Sequence, residues 1–362
     1  VRSSFETMNL RFVSYLMAVV IVVVGVGIFV SAGVSAIYGD SDLVGLLISG
    51  AICLGIGLPL YYLTREAKRA YIGFREGFLG VSGSWLVAMF FGSIPFIVTG
   101  VFEPVDAFFE TMSGFTTTGA SVLTDYDQGH GIMFWRSLTH WYGGMGIVVL
   151  FIALLPPSGR GAIHLFAAEA PGPSTERRTP RLRDTAKNLW YIYVGLTVLE
   201  ALVLMAVGLG PFSAVTHSFA TMATGGFSTE AASIAAYDSW SVELVIVIFM
   251  FLAGGNFALY FALLARRRWA IWRDPEFRVY VGIVVVSVFL LAASLMIAGS
   301  HASPARAFRE SLFQAVTIQT TTGFASADFD AWNGLAKAFL VLLMFVGGCA
   351  GSTAGGMKVV RI

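Results

Sequence analysis

Thr116-Thr117-Thr118-Gly119 is a short polar segment wedged between hydrophobic stretches long enough to cross a membrane. It recurs as Met222-Ala223-Thr224-Gly225 and as Thr320-Thr321-Thr322-Gly323, at intervals of about a hundred residues. Irregular backbone at membrane depth persists only where protein buries it or where it lines a wet cavity, because each unpaired amide or carbonyl in lipid costs several kcal/mol. Three such segments in one chain therefore read as the lining of a pore, and rows of carbonyls facing one axis bind a cation. Glycine supplies the backbone freedom that close-packed carbonyls need, while threonine adds a hydroxyl that braces neighbouring strands of the lining. Small residues also serve plain helix packing in membranes. Recurrence at corresponding places weighs against that alternative, although the second segment, with a single threonine, is the weakest match.

Composition agrees with a lipid-solvated chain. Of 362 residues, 56% are hydrophobic and only 12% charged, with a mean hydropathy of +0.76, too apolar for a soluble domain. A formal charge of +1 gives no support to nucleic-acid binding. Cys53 and Cys349 lie far apart in apolar surroundings and read as small core residues rather than a disulfide. The first apolar stretch is too long for a signal-peptide core and reads as a retained helix.

Apolar runs of the roughly 20 residues that a helix needs to cross the membrane fall at 8–37, 43–63, 77–100, 132–155, 188–209, 239–264, 277–299 and 333–362, eight in all. Segments 1–11, 64–76, 156–188, 266–278 and 358–362 hold 19 of the 23 basic residues, which places them and the N-terminus in the cytoplasm. Arg136, Arg306, Arg309 and Lys337 fall on the other side, where Asp40, Asp42, Glu103, Asp106, Asp125, Asp127, Glu230, Asp238, Asp328 and Asp330 gather. An acidic outer face would concentrate cations at a pore mouth; ordinary loop solvation explains the same excess.

These spans and basic segments alternate consistently only if each glycine-bearing segment returns to the side from which it came. Each approach starts at a proline, Pro104, Pro211 or Pro304, and the segment's glycine follows 15, 14 and 19 residues later. Proline suits the first turn of a helix, so three short helices are expected, re-entrant from the outer face, with C-terminal dipole ends that favour a cation. The expected fold is an all-α membrane protein of tandem units, each a helix, a re-entrant pore helix with its loop, and a second helix. Residues 1–76 form two extra N-terminal helices and a cytoplasmic loop, 77–187 the first repeat with its connector, 188–276 the second and 277–362 the third. The connector at 156–187, with five prolines among six basic residues, is solvated or docks a partner. Trp135, Trp141, Trp190, Trp240, Trp269, Trp272 and Trp332 lie near span ends, as interfacial aromatics do.

The residues resemble the Trk/Ktr/HKT superfamily of potassium transporters, and within it the TrkH-like membrane subunits of bacterial Trk systems. The resemblance rests on Phe109 to Ala120 (FETMSGFTTTGA), Ala223 to Thr229 (ATGGFST), Thr320 to Ala325 (TTTGFA) and Gly347 to Lys358 (GGCAGSTAGGMK), and it spans nearly the whole chain. It implies four pseudo-symmetric repeats around one potassium pathway with a filter glycine in each, and a bacterial inner-membrane location. No bound cofactor is implied, potassium being the substrate. It also implies that glycine rather than serine at the Gly119 position goes with potassium, that the protein is a homodimer in the lipid bilayer, and that a cytosolic nucleotide-binding regulatory subunit of the TrkA type contacts the basic inner loops. The run Gly347, Gly348, Cys349, Ala350, Gly351, Ser352, Thr353, Ala354, Gly355, Gly356 interrupts an apolar helix in the cytoplasmic half of its span; the resemblance makes it a flexible gating loop below the filter. A phosphate-binding loop fails on spacing.

Gly143-Gly144 and Gly254-Gly255 occupy similar places in the other repeats and are expected to serve close helix packing. His130, His140, His164, His217 and His301 are scattered without metal-ligand spacing, and no nucleophile, base and orienting group assemble into an enzyme. Glu200, deep in a span, is a functional candidate or an interhelical hydrogen-bond partner; Glu110 is expected to brace the first filter from behind. The sequence reaches Ile362 inside the inner span of the third repeat, so a working transporter is expected to include a further membrane segment. The alternatives at this point are a nonconducting fragment that acts as an interaction scaffold, and sodium-coupled or proton-coupled cotransport.

Overall fold

The computed structural model describes residues 9–69, 74–146, 179–264, 270–299 and 303–362. Most of the expected connector at 156–187, the arginines at 266–268, His164 and His301 lie outside the described residues. What is described is all-α, apart from an isolated bridge between Val346 and Met357.

The chain opens with two long helices, α1 (Leu10–Tyr38) and α2 (Leu43–Thr64). Asn9 starts α1 by accepting from the Phe12 amide, and Gly39, at φ 73°, ends it with an amide bonded to the Ser35 carbonyl. A left-handed stop of this kind is open to glycine at little cost. At 29 residues α1 is about 44 Å long, more than the ~30 Å of hydrocarbon it has to cross. Three units follow. The first holds α3 (Phe74–Val98), α4 (Pro104–Phe115) and α5 (His130–Gly144). The second holds α6 (Thr179–Ala206), α7 (Pro211–Met222), α8 (Trp240–Ala253) and α9 (Phe257–Leu264). After the single turn α10 (Ala270–Arg273), the third holds α11 (Pro275–Ile297), α12 (Pro304–Gln319) and α13 (Gly334–Met344).

Among the described residues, five helices are long and apolar enough to span a membrane, those at Leu10–Tyr38, Leu43–Ala67, Arg75–Val98, Lys187–Ala206 and Pro275–Ile297. Large apolar side chains such as Val30, Leu202 and Phe289 stand exposed on them, the condition of a surface solvated by acyl chains. The remaining expected spans differ in form. The second helix of each unit is short: α5 stops at Gly144, α8 and α9 meet at a 97° bend, and α13 ends after 11 residues. Each stop falls at or within a few residues of a glycine pair, which hydropathy alone passes over.

Packing recurs from unit to unit. Within each, the first helix, the proline-started helix and the second helix contact one another; between units, α5 packs on α7 and α8 packs on α12. The starts of α5 and α7 meet at the α1–α2 turn. Asp40 and Asp42, in the α1–α2 turn, accept from the His130 and Ile132 amides at 2.6 and 2.7 Å, and Tyr38 stacks on His130, which meets Phe212 edge-on. In the third unit Arg309 near the start of α12 reaches Asp238 and Glu243 around the start of α8. Helices α7 and α12 therefore each begin beside the start of a helix of the preceding unit, α5 and α8 respectively. Asp40 and Asp42 are consumed in this work: they satisfy first-turn amides that α5 leaves open.

Candidate functional site

The three polar segments adopt one backbone conformation. Each short helix ends in the right-handed region at Thr116, Ala223 or Thr320. The next residue is left-handed, Thr117 at φ 53°, Thr224 at 50° and Thr321 at 58°. Two residues beyond it a glycine is left-handed again, Gly119 at 78°, Gly226 at 81° and Gly323 at 83°. Backbone hydrogen bonds repeat in register: the Thr117, Thr224 and Thr321 amides bond to the carbonyls of Gly114, Thr221 and Ile318, and those of Thr118, Gly225 and Thr322 to Ser113, Ala220 and Thr317. A left-handed threonine is uncommon, and three at one position mark a conformation held by its surroundings.

This register corrects the sequence alignment of the second segment by one residue. Gly226, rather than Gly225, is equivalent to Gly119 and Gly323; Gly225 matches Thr118 and Thr322, Thr224 matches Thr117 and Thr321, Ala223 matches Thr116 and Thr320, and Met222 is the last helical residue. From Pro211 to Gly226 is 15 residues, the spacing of Pro104 to Gly119, and α12 is longer by 4 residues, 16 against 12, about one turn. Equal proline spacing and the shared Gly-Phe of Gly226-Phe227 and Gly323-Phe324 are the signals that give the right register from sequence.

Neighbouring segments touch in sequence. A Cβ on Gly119 would run into the Gly225 carbonyl oxygen, and one on Gly226 into the Thr322 carbonyl oxygen, so each glycine lies flat against the equivalent carbonyl of the next unit. A Cβ on Gly323 would meet no described atom beyond its own chain neighbours within 4 Å. Side-chain hydroxyls brace the turns, Thr116 with Thr118 and Thr320 with Thr322, both at 2.8 Å.

Nine residues before the glycine of each segment stands a buried polar side chain, and in the first two units it braces the segment from behind. In the first unit this is Glu110, which accepts from Ser121 Oγ (2.8 Å), the Val122 amide (2.9 Å) and Arg136 Nε (2.6 Å). Arg136 also donates to the Ser228 carbonyl at 2.8 Å, and its guanidinium lies 3.7 Å from the centroid of Phe227, tying the first unit to the second. In the second unit His217 meets Ser228 Oγ at 3.1 Å, Ser228 standing two residues after Gly226 as Ser121 stands after Gly119. The third unit has Gln314 and Ala325 at these positions, and the Gln314 amide has no hydrogen-bond partner among the described residues. Its tie is made elsewhere, by Arg309 gripping Glu243 through two 2.8 Å bonds. Arg136 and Glu243 were missed in the sequence as braces; the available signal was a charged residue just inside an apolar run.

Glycine pairs let the second helices approach the segments. A Cβ on Gly143 would meet the Phe115 carbonyl, one on Gly144 the Ala223 backbone, and one on Gly254 the Thr320 side chain. Glu200 is fully buried in α6 beside Thr221, with neither carboxylate oxygen in hydrogen-bond geometry to a described residue. His140 stacks on Phe227 at 3.9 Å. Among the described residues no group of three or more His, Cys, Asp or Glu is placed to hold a metal ion.

Gly347 to Gly356 is a loop between α13 and the turn Val359–Arg361. It lies directly against the polar segments: the Gly355 amide donates to Thr321 Oγ1 at 2.7 Å, and Thr353 Oγ1 donates to the Met222 carbonyl at 3.0 Å. Gly347 closes the neck of the loop through its amide on the Met357 carbonyl at 2.9 Å, and the Gly348 carbonyl accepts from Val359 at 3.1 Å. Within the loop, Gly351 and Gly356 are left-handed, Ser352 Oγ caps the Cys349 carbonyl, and Lys358 Nζ donates to the Ala354 carbonyl. The Ala350 amide is held by Glu276 Oε1 at 2.6 Å.

Comparison with known proteins agrees with this architecture. The profile of the TrkH family, described as cation transport protein, matches residues 45–362. The Trk system potassium uptake protein TrkH of Vibrio parahaemolyticus is 39% identical over 362 residues, covering 98% of this chain and 74% of that protein. Its counterpart in Escherichia coli is 39% identical over 360 residues with the same coverage. The crystal structure of the potassium transporter TrkH from Vibrio parahaemolyticus superposes with a TM-score of 0.87 at 35% identity, over 98% of this chain and 74% of that one. By sequence and by fold, the chain belongs to the TrkH family of cation transport proteins.

Proposed function

We propose that the protein conducts potassium into the cell through a filter formed by the backbone carbonyls of the three polar segments, and that Gly347 to Gly356 gates it from below. The observation that carries this reading is the common register of the segments, in which Gly119 and Gly226 each lie against the carbonyl of the next unit. In this reading the units, 77–187, 188–276 and 277–362, stand in a pseudo-fourfold arrangement around one pathway. The filter residues are Thr116 to Gly119, Ala223 to Gly226 and Thr320 to Gly323. Helices α4, α7 and α12 end at the segments and direct their partial negative charge at the ion, which exchanges its hydration for carbonyl oxygens. It is a transporter rather than an enzyme, with potassium as its substrate.

The distribution of lysine and arginine supports a cytoplasmic N-terminus, the proline ends of the short helices facing outward and the loop facing the cytoplasm. A homodimer, regulated by a TrkA-like nucleotide-binding subunit on the basic cytoplasmic segments, fits the potassium uptake systems for which the relatives are named. The test is ion-selective flux in proteoliposomes containing the complete transporter, comparing Gly119→Ser with the wild type. Loss of the preference for potassium over sodium is expected; an unchanged preference would remove Gly119 from the filter.

A further inference from the structure

At the α8–α9 bend, the bonds that a continuous helix would make are replaced by bonds to groups from elsewhere. The carbonyls of Phe251 and Leu252 accept from Tyr280 Oη at 3.1 Å and Tyr260 Oη at 2.8 Å. The Ala253 carbonyl accepts from the Thr353 amide at 3.3 Å, with Thr353 Oγ1 beside it at 3.2 Å, and the Gly254 carbonyl from the Cys349 amide at 2.9 Å. On the other side of the bend, the Phe257 amide donates to the Gly351 carbonyl at 3.1 Å, and Ala258 donates to Asn256 Oδ1 at 2.9 Å. The Gly-rich loop thus supplies the partners of two carbonyls and one amide of a helix in a different unit. Gly351 packs so closely on Asn256 that a Cβ would strike its side-chain oxygen.

We infer that the loop is the C-terminal cap of α8, so that withdrawal of the loop and straightening of α8 into α9 are one event. Without the loop, the Ala253 and Gly254 carbonyls and the Phe257 amide lose their partners in surroundings poor in water. They can pair with each other, Phe257 to Ala253 and Ala258 to Gly254, only in the i to i−4 pattern of a continuous helix. The two arrangements use the same backbone groups and exclude one another, which makes the bend a two-state element. The functional meaning of the inference rests on the loop being the gate, whereas its structural content does not.

The experiment places spin labels at Leu244→Cys on α8 and Leu263→Cys on α9, both exposed, with Cys53 and Cys349 replaced by alanine. Label distance and potassium flux are measured in the reconstituted complete transporter, with the loop intact, with residues 349–355 shortened to a two-residue link, and with Thr353→Ala. For the 97° bend the backbone separation is about 19 Å, rising to about 28 Å in a continuous helix at 1.5 Å per residue. A population near the longer distance in the shortened variant, and a smaller one in Thr353→Ala, are expected together with raised flux. A distance that stays at its bent value while flux rises overturns the coupling and leaves the gate standing. Lengthening without any change of flux upholds the coupling and sinks the gate.

Discussion

Removing the Glu110 carboxylate is expected to destabilise the protein by about 3–5 kcal/mol, the usual cost of leaving one member of a buried ion pair uncompensated. Glu110 is 1% exposed and Arg136 2%, so solvent does not screen the loss. Two corrections act in opposite directions. Arg136 keeps the Ser228 carbonyl and the face of Phe227, which offsets part of the penalty; the Val122 amide, bonded at 2.9 Å to Glu110, loses its acceptor at a cost of about 1–3 kcal/mol. Glu110→Ala should therefore unfold well below the wild type in detergent. The double variant Glu110→Leu with Arg136→Met should recover most of the difference, because it removes both charges and keeps the volume. In flux assays the single variant should also lose potassium preference, since the network anchors Ser121 and Ser228 just beyond the first and second segments. Wild-type stability in Glu110→Ala, or a double variant no better than the single one, would refute the reasoning.

Gly226→Ala should reduce potassium preference at least about tenfold, the equivalent of 1.4 kcal/mol, because its Cβ meets the Thr322 carbonyl at a positive φ; wild-type selectivity in that variant would argue against the corrected register. Gly143→Ala, which drives a Cβ into the Phe115 carbonyl, should lower both stability and flux, read by thermal unfolding and rubidium uptake, and normal values in both would exclude close packing as the reason for the glycine. Lys358→Met removes the ammonium from the Ala354 carbonyl and should raise basal flux, with Lys358→Arg closer to wild type; equal flux in all three would show that this contact does not hold the loop. Glu200→Gln should preserve flux and stability if the buried carboxyl acts as a neutral group beside Thr221, while a collapse of flux in this variant would require its charge.

The general architecture was legible because it follows from solvation and covalent constraint. Twenty apolar residues, a proline at the first turn and a glycine in an apolar run each have few structural outcomes, and together they give the long spans, the short helices and the placement of the loop. The interior of the units was less legible. Residues 333–362 read as one apolar span interrupted from Gly347, yet α13 already ends at Met344, because the glycines that follow allow the backbone to leave the helix early and hydropathy is blind to that freedom. The one-residue error in the second segment arose from matching residue types, Thr-Gly to Thr-Gly, where the backbone matches dihedral angles and places Gly225 at a position that threonine fills in the other two units.

The braces were hidden for a different reason. Glu110 with Ser121 and Arg136, and His217 with Ser228, hold the first two segments with different residue types, while Glu243 with Arg309 ties the third unit to the second from a different position. What the first two share is a physical arrangement: a left-handed threonine turn is fixed from behind by a buried polar group whose own hydrogen bonds are met. A carboxylate paired with arginine provides it, and so does an imidazole against a serine hydroxyl. A sequence motif records only the solution in which one residue type is obligatory, as at the left-handed glycines. Where several solutions are equivalent, the repeat exists in the geometry and not in the letters, and the selectivity of the first two units should depend on their braces even though the two do not look alike.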